Sequence, residues 1–396
     1  MKLLLISTAR AVGVALLVGA ATYGCGSSAT SPSCTDNCPP DPESEQIELA
    51  TALAHRYIES HPPEEEDWDW RSGVLMFGLT ELYRVTEDEM LPEYYKAWMD
   101  HHIEEGYADR LFWSDGCPPA LTAIALLREE REPTGDYQQV VDDVLAYLDD
   151  EDRALRTEEG GISHNGTVGQ RSVWVDSLFM FGMVLNRWGE ASDSNRLDME
   201  SDQIVIFADV LQDDNGFMRH AQDWPGYDES VHWARGNSWV VASLADYLRI
   251  RSERGETDST VEQIFRDHVR AVVAAQDAET GRWLTAMSHP DEPDNYLETS
   301  AGALFAYGLA RAYRYGILGD AERKAAQKAA EGVKQMIRDD GDGPVLGGVS
   351  TFTDPWLLRS PTGGTDGYLD VPVEDDVNYG IGAVILALIE TSGLPE

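Results

Sequence analysis

Asp176 occupies a position in which a carboxylate needs an explanation. It follows Trp174-Val175 and precedes Leu178-Phe179-Met180, in a segment that is otherwise apolar. Burial of a carboxylate costs several kcal/mol unless the group is paired or has a purpose. Burial would also raise its pKa, so that it could carry a proton near neutral pH and act as general acid and base. We therefore predict a catalytic role for Asp176.

A second carboxylate, Asp115, precedes another apolar segment and leaves two interpretations open. It is followed by a Gly-Cys-Pro-Pro run, a setting in which an N-cap residue often starts a helix. Capping alone would explain the residue. Alternatively, its carboxylate takes part in the same chemistry as Asp176.

Aromatic and imidazole side chains stand near the starts of further apolar segments. Trp70 and Trp233 would suit stacking against sugar rings, and Trp239 could do the same or belong to the core. His164 and His220 lie on long loops, where a lone histidine is more often a surface residue than a catalyst. No pair of histidines has metal-ligand spacing, and no phosphate-cradling glycine loop or nucleophile elbow is present in the sequence. The sequence therefore predicts no metal site.

The elements that must position these residues are helices. Apolar residues recur with helical spacing from Glu45 onward, and strand-like alternation is scarce. Twelve helices are predicted. The even-numbered ones are nearly apolar all round and rich in Gly and Ala, as buried helices are, and the odd-numbered ones carry charge on one face. Such alternation predicts stacked helical hairpins, either in an open solenoid or in a closed ring of six inner and six outer helices.

The lengths of the connections favour the closed ring. Links from a buried helix to the next surface helix are short, whereas most of the reverse links are long: 150–171, 212–234, 277–297 and 339–378. Long irregular loops on one face usually carry function, and every even-numbered helix begins on that face. We therefore predict an all-α (α/α)6 barrel, a six-hairpin toroid over residues 45–396, with the candidate residues converging on one mouth.

The first forty-four residues are predicted to be a targeting segment and a tether. Residues 1–24 combine a basic start with a long apolar run and are typical of a secretory signal peptide. Cys25 follows, which indicates lipidation after cleavage and an exported, membrane-anchored lipoprotein of the cell envelope. A freely secreted protein or an uncleaved anchor stays open. Residues 25–44 would form a flexible tether, in which Cys34 and Cys38 could pair in an oxidising compartment.

The net charge of −41, from 71 acidic and 30 basic residues, restricts the partners of the protein. Nucleic acids and anionic membrane surfaces are poor partners for such a surface, so a lipid anchor would be its only attachment to a membrane. The charge also opposes long-range attraction of a polyanionic substrate. One basic residue in a pocket can still hold one carboxylate at short range, because salt screens the distant charges.

Two segments resemble a known group of enzymes. Residues 173–180 (VWVDSLFM) and 233–239 (WARGNSW) resemble two sequence blocks of glycoside hydrolase families 88 and 105, the unsaturated glucuronyl and rhamnogalacturonyl hydrolases. Weaker likeness extends over 298–301 (ETSA) and 380–383 (GIGA). The resemblance implies an (α/α)6 barrel, in agreement with the fold predicted from helix spacing.

The resemblance also implies a reaction. Enzymes of these families add water across the C4=C5 double bond that polysaccharide lyases leave in the terminal uronate of an oligosaccharide. By resemblance, Asp176 would protonate C4 and then, as a carboxylate, help a water molecule to attack C5. The hemiketal that forms collapses and releases the rest of the oligosaccharide. The oligosaccharide substrate would be the partner, and no metal or organic cofactor is implied.

Further site residues follow from the same resemblance. Asp115 matches the second aspartate of the family, and two nearby carboxylates would keep one proton between them. His220 resembles the loop histidine that lies beside the sugar. Arg235 stands where a positive charge could hold the uronate carboxylate, and Trp233 and Trp239 would wall the pocket.

Some segments match the family less well. His164, in the segment GGISH, resembles a histidine shortly before the catalytic block, but the residues after His220 and after Asp115 depart from the family pattern. These departures fall in loops that contact substrate, so they leave the identity of the sugar less defined than the reaction.

Two other classes of function stay open at this point. The protein could be a different (α/α)6 glycosidase or a polysaccharide lyase that cuts intact chains, or it could be a non-catalytic glycan-binding lipoprotein. Replacement of Asp176 by Asn discriminates between them. A binding protein needs no proton donor and should keep its affinity, whereas a hydrolase of unsaturated sugars should lose nearly all turnover.

Overall fold

The computed structural model describes residues 38–165, 171–192, 194–222, 228–353 and 365–396. The predicted signal peptide, Cys25 and most of the predicted tether lie outside these residues. Cys34 does too, so its pairing with Cys38 stays a prediction. Across these ranges, no helix is both long enough and apolar enough to cross a membrane.

All twelve predicted helices are present, and the sixth is divided at Phe181. One further α-helix, the single turn Asp366–Leu369, lies in the last long loop. In the described ranges the helices are α1 Glu45–Ser60, α2 Trp70–Thr86, α3 Met90–Glu105, α4 Ala120–Arg128, α5 Thr134–Asp149, α6 Ser177–Met180, α7 Gly182–Ala191, α8 Arg196–Leu211, α9 Ala234–Glu253, α10 Ser259–Ala274, α11 Thr299–Arg314, α12 Asp320–Lys334, α13 Asp366–Leu369 and α14 Asn378–Thr391.

Short antiparallel strand pairs occupy the long loops, and helix spacing did not predict them. Their bounds are β1 Trp283–Leu284 with β2 Leu297–Glu298, β3 Ile337–Asp339 with β4 Pro344–Leu346, and β5 Val349–Ser350 with β6 Val373–Glu374. The eleventh predicted helix was drawn too long, because α12 ends at Lys334 and Ile337 enters β3.

The inner helices form a closed ring. Helices α2, α4, α6–α7, α9, α11 and α14 each pack against the next, and α14 packs back against α2. The outer helices α1, α3, α5, α8, α10 and α12 pack around them. The predicted (α/α)6 barrel is therefore confirmed, and the open solenoid is excluded.

Glycine lets two inner helices approach each other at the point where the ring closes. A Cβ on Gly78 of α2 would lie 2.7 Å from the carbonyl oxygen of Gly382 in α14. A Cβ on Gly382 would lie 2.5 Å from the carbonyl oxygen of Val74. Both distances are shorter than a Cβ allows, so the contact between α2 and α14 requires glycine on both sides.

Arginine and carboxylate side chains fill the barrel at the C-terminal ends of the inner helices. The fully buried Asp246 lies 2.8 Å from Arg187 Nε, 3.0 Å from Arg249 Nε and 3.2 Å from Arg311 Nη1. Burial pulls the pKa of Asp246 upward, but the charges of the three arginines outweigh it and lower the pKa. The arginines also offset the partial negative charge that converging helix C-termini bring to this end.

Candidate active site

Extended segments that precede the inner helices pair with one another and bring the predicted site residues together. The amide of Val175 donates to the carbonyl of His220 at 2.8 Å, which places the loop histidine beside Asp176. The amide of Ser114 donates to the carbonyl of His164 at 2.9 Å, which places that histidine beside Asp115. These pairings join loops that are far apart in the sequence.

A cavity of about 230 Å³ opens where these segments meet. Seven of the eight predicted site residues of the described chain line it, together with six residues that sequence reasoning did not select. The lining consists of Trp70, Trp113, Asp115, His164, Asn165, Trp174, Asp176, Met180, His220, Trp233, Arg235, Phe352 and Thr353.

Asp176 is paired with His220. The carboxylate oxygen Oδ2 lies 3.3 Å from His220 Nε2, and the Asp176 side chain is 13% exposed. Burial alone would raise the pKa of Asp176, but the hydrogen bond and charge of His220, together with the charge of His164, outweigh it and lower the pKa. The prediction of a raised pKa was therefore wrong. The apolar neighbours were visible in the sequence, whereas the histidines arrive from separate loops.

Asp115 is paired with His164 and is not a helix cap. It lies in a 3₁₀ turn ahead of α4, makes no capping hydrogen bond, and is 5% exposed. Its Oδ1 lies 3.5 Å from His164 Nε2. Burial tends to lower the pKa of His164, but Asp115 and the charge of Asp176 outweigh it and raise the pKa. Each aspartate thus faces a histidine of its own, and the sharing of one proton between the two carboxylates stays a prediction.

Aromatic rings hold both histidines in place. His164 stacks on Trp174 with ring centroids 4.4 Å apart and planes 7° apart. The rings of His220 and Trp174 are nearly perpendicular, at 70°, and their centroids lie 5.8 Å apart. The ring of Trp233 also contacts His220, with centroids 4.7 Å apart. The imidazoles therefore cannot swing freely away from their aspartates.

The guanidinium of Arg235 is engaged within the protein. Nη1 donates to the carbonyl and hydroxyl of Ser350, and Nη2 donates to the carbonyl of Thr351 at 3.0 Å and to Thr353 Oγ1 at 2.8 Å. The group also lies over the ring of Trp233, 4.8 Å from its centroid. Arg235 is 1% exposed. It secures the segment that carries Phe352 to the cavity wall, and its role as a ligand of the uronate carboxylate stays a prediction.

Trp239 does not wall the cavity, so that prediction was wrong. Its side chain is 1% exposed and lies against Phe179, 4.6 Å between ring centroids, and against the edge of Trp70 at 6.0 Å. Residue 239 stands more than one turn inside α9, below the level of the cavity. Trp239 therefore supports Trp70, which does line the cavity.

The comparison with protein families identifies the chain. The model of Glycosyl Hydrolase Family 88 matches residues 47–394, which is most of the chain. The protein belongs to glycosyl hydrolase family 88.

Individual relatives of this family-88 protein agree in fold and length. The unsaturated rhamnogalacturonyl hydrolase YesR of Bacillus subtilis is 26% identical over 87% of the chain and 95% of the relative. An unsaturated 3S-rhamnoglycuronyl hydrolase of an Alteromonas species is 25% identical over 84% of the chain and 79% of the relative. A solved family 105 glycoside hydrolase of C. acetobutylicum superposes with a TM-score of 0.77 at 20% identity, over 86% of the chain and 98% of that structure.

A tyrosine of this family-88 site escaped sequence reasoning. Tyr368, in the single turn α13, places its hydroxyl 2.8 Å from His220 Nδ1. It is 2% exposed and packs with Val231, Trp233 and Ala286. The long 339–378 loop was predicted to be functional, but no local pattern in it distinguishes Tyr368, which reaches the site only through the fold.

The direction of the inner helices gives the family-88 site a favourable field for an anion. All six inner helices begin at the end of the barrel that holds the cavity. Each helix N-terminus carries roughly half a positive charge, and the effect acts over the first turn. The helix N-termini therefore add partial positive charge around the cavity of a protein whose net charge is −41. Over the same described ranges, no group of three or more His, Cys, Asp or Glu side chains could hold a metal ion.

Proposed function

We propose that this glycoside hydrolase releases a terminal unsaturated uronic acid from oligosaccharides made by polysaccharide lyases, and that it does so by hydrating the C4=C5 double bond. The observation that carries the proposal is the Asp176–His220 pair, with 3.3 Å between Oδ2 and Nε2, at the wall of an aromatic pocket. Family membership supports the same reaction class.

Asp176 acts twice in the proposed reaction. Its proton goes to C4, and the resulting carboxylate accepts a proton from the water molecule that bonds to C5. The C5 hemiketal then collapses and the rest of the oligosaccharide leaves. The low pKa of Asp176 means that the acid form must be favoured on binding. The carboxylate of the substrate supplies that effect, because a like charge nearby raises the pKa of an acid.

His164 is the proposed cation that attracts the uronate carboxylate. Asp115 and Asp176 raise its pKa, so it carries a positive charge more readily than an ordinary histidine. It is 3% exposed and lines the cavity. Nδ1 of His164 lies 2.9 Å from Ser177 Oγ and Nε2 lies 3.5 Å from Asp115 Oδ1. The Nη hydrogens of Arg235 are engaged as well, so both cations would attract the uronate by their charge.

For the sugar that follows the uronate, we propose rhamnose. Both relatives described above are named for substrates that contain it. The test is a panel of unsaturated disaccharides that differ only in the second sugar. The largest kcat/KM on a rhamnose glycoside supports the proposal, and a preference for amino sugars contradicts it.

We also propose that the protein is exported and held at the membrane by a lipid on Cys25. The support is the signal-like order of residues 1–24 and the cysteine that follows. Labelled fatty acid fed to the expressing cells should appear in the protein and disappear in Cys25→Ser. A labelled Cys25→Ser protein, or an unlabelled wild type, contradicts the anchor.

The reaction itself is tested by the ultraviolet absorbance of the conjugated double bond. The wild type should abolish the absorbance of lyase-digested pectin fragments, and Asp176→Asn should remove nearly all turnover while the protein still binds the fragments. Asp209→Asn, on the exposed face of α8, is the matched control and should behave as wild type. Equal activity of the two Asn variants contradicts the role of Asp176.

A further inference from the structure

His220 is held on both sides of its ring. Nε2 lies 3.3 Å from Asp176 Oδ2, and Nδ1 lies 2.8 Å from the hydroxyl of Tyr368. His220 is 4% and Tyr368 2% exposed, so water has little access to these contacts. The proposed reaction assigns a role to Asp176, places His220 beside it, and gives the tyrosine no part.

We propose that Tyr368 is a positioning residue, whose hydroxyl holds the His220 ring so that Nε2 faces Asp176 and can pass it a proton. The proposal rests on the proposed function, in which Asp176 must be protonated before it meets C4. The partner of one imidazole nitrogen determines which proton the other can carry.

The Tyr368 hydroxyl can form a hydrogen bond with Nδ1 of His220 in every protonation state of the Asp176–His220 pair. While Asp176 is ionised and His220 neutral, the proton lies on Nε2, and Nδ1 accepts from Tyr368. When His220 is protonated, both nitrogens donate, and the hydroxyl oxygen accepts from Nδ1. Transfer of the Nε2 proton to Oδ2 then leaves His220 neutral with its proton on Nδ1, still bonded to the hydroxyl oxygen. No buried nitrogen loses its partner during the transfer, which would otherwise oppose it.

The surroundings restrict the ring to this orientation. The main chain of His220 is bonded to Val175, and its ring lies between Trp174 and Trp233. The Tyr368 ring packs 6.1 Å from Trp233. Since the tyrosine contributes both a packed ring and a hydroxyl, Tyr368→Phe keeps the first and removes only the second.

In the described ranges, few charged groups face the Asp176–His220 pair. Asp176 faces Nε2 directly, and the charge of His164 acts on Asp176 from the other side of Trp174. The Arg235 guanidinium lies over the opposite neighbour, Trp233. None of these groups changes in Tyr368→Phe, so a change in pH dependence reports on the hydroxyl.

Kinetics give the first test. Tyr368→Phe should lower kcat by roughly 10- to 100-fold, as loss of a partner that orients a functional histidine does, and should leave KM nearly unchanged. The basic limb of the kcat/KM profile should move to lower pH, because the protonated form of the Asp176–His220 pair loses the acceptor that the hydroxyl provides. Tyr247→Phe removes another buried hydroxyl, 2.8 Å from Asp258 and on the outer side of α9, and should leave the profile unchanged.

A double-mutant cycle shows whether the tyrosine acts through the histidine. In a His220→Gln background, the further change Tyr368→Phe should have almost no effect on kcat. Equal losses in the wild-type and His220→Gln backgrounds, or an unmoved pH profile in Tyr368→Phe, would overturn the proposal and leave the proposed function intact.

Nitrogen-15 NMR of the imidazole separates the two proposals. In the wild type, neutral His220 should carry its proton on Nε2, and in Tyr368→Phe the two tautomers should mix. If the wild type hydrates no unsaturated uronide, the proposed function fails, and the spectrum still decides the role of Tyr368. Identical imidazole signals in the wild type and Tyr368→Phe would overturn it.

Discussion

Glu200 is a buried carboxyl group whose ionisation should govern the stability of the barrel. It lies in α8 with 0% of its surface exposed, and neither carboxylate oxygen has a hydrogen-bond partner in the described ranges. A Cβ on Gly182 of the neighbouring helix α7 would lie 2.4 Å from Glu200 Oε1, so the carboxyl group fills the space beside that glycine. Burial raises the pKa of Glu200 well above its usual value.

The sign of the effect follows from the raised pKa. The folded state binds the Glu200 proton more tightly than the unfolded state does. The contribution of Glu200 to the free energy of unfolding is therefore largest below its unfolded pKa of about 4.3. Above that pH, every unit costs about 1.4 kcal/mol until the folded pKa is reached.

The variant Glu200→Gln keeps the shape of the side chain and removes its proton. Urea unfolding of both proteins at several pH values gives the free energy of unfolding and its slope. All other groups titrate alike in the two proteins, so the difference between the curves isolates Glu200. The gap should shift by about 1.4 kcal/mol per pH unit in favour of Gln as the pH rises. Parallel curves would refute the reasoning, since they would mean that Glu200 is ionised in the folded barrel.

Three more variants test other parts of the account. Asp246→Asn should lower the free energy of unfolding by about 3–5 kcal/mol, because buried arginines lose their partner; unchanged urea midpoints would contradict this. Gly382→Ala should lower it by about 1–3 kcal/mol or more, since its Cβ would meet the Val74 carbonyl at 2.5 Å; calorimetry gives the comparison. Asp115→Asn should lower the pKa of His164, so that KM rises at a lower pH than in the wild type; an identical dependence of KM on pH would exclude the pairing.

The barrel could be predicted because its signal is repeated and local. Each inner helix is apolar all round, and each long loop lies on the same side of it, so one pattern occurs six times along the chain. The short strands β1 to β6 were not predicted, because segments of two or three residues leave no periodicity in the sequence. The division of the sixth helix at Phe181 was not predicted either. The arginines around Asp246 escaped for another reason: charged residues at helix ends look solvated until the ring closes.

The sequence predicted which residues form the site, but it did not predict which of them contact one another. Asp176 stood out because a carboxylate among apolar residues needs a purpose, and the family resemblance supplied Asp115, His164 and His220. Which histidine meets which aspartate depends on pairing between loops that are distant in the sequence, as between Val175 and His220. The direction of the pKa of Asp176 depends on those same contacts, so the local apolar sequence gave the wrong sign.

The central claim is that water adds to the double bond, and solvent deuterium tests it most directly. The purified domain would act on an unsaturated disaccharide in D₂O, and the released uronic acid would be examined by NMR and mass spectrometry. Hydration predicts a product without the C4=C5 bond and with one solvent deuterium at C4, absent with Asp176→Asn. A released uronic acid that keeps its double bond and carries no carbon-bound deuterium would show ordinary glycosidic cleavage and contradict the account.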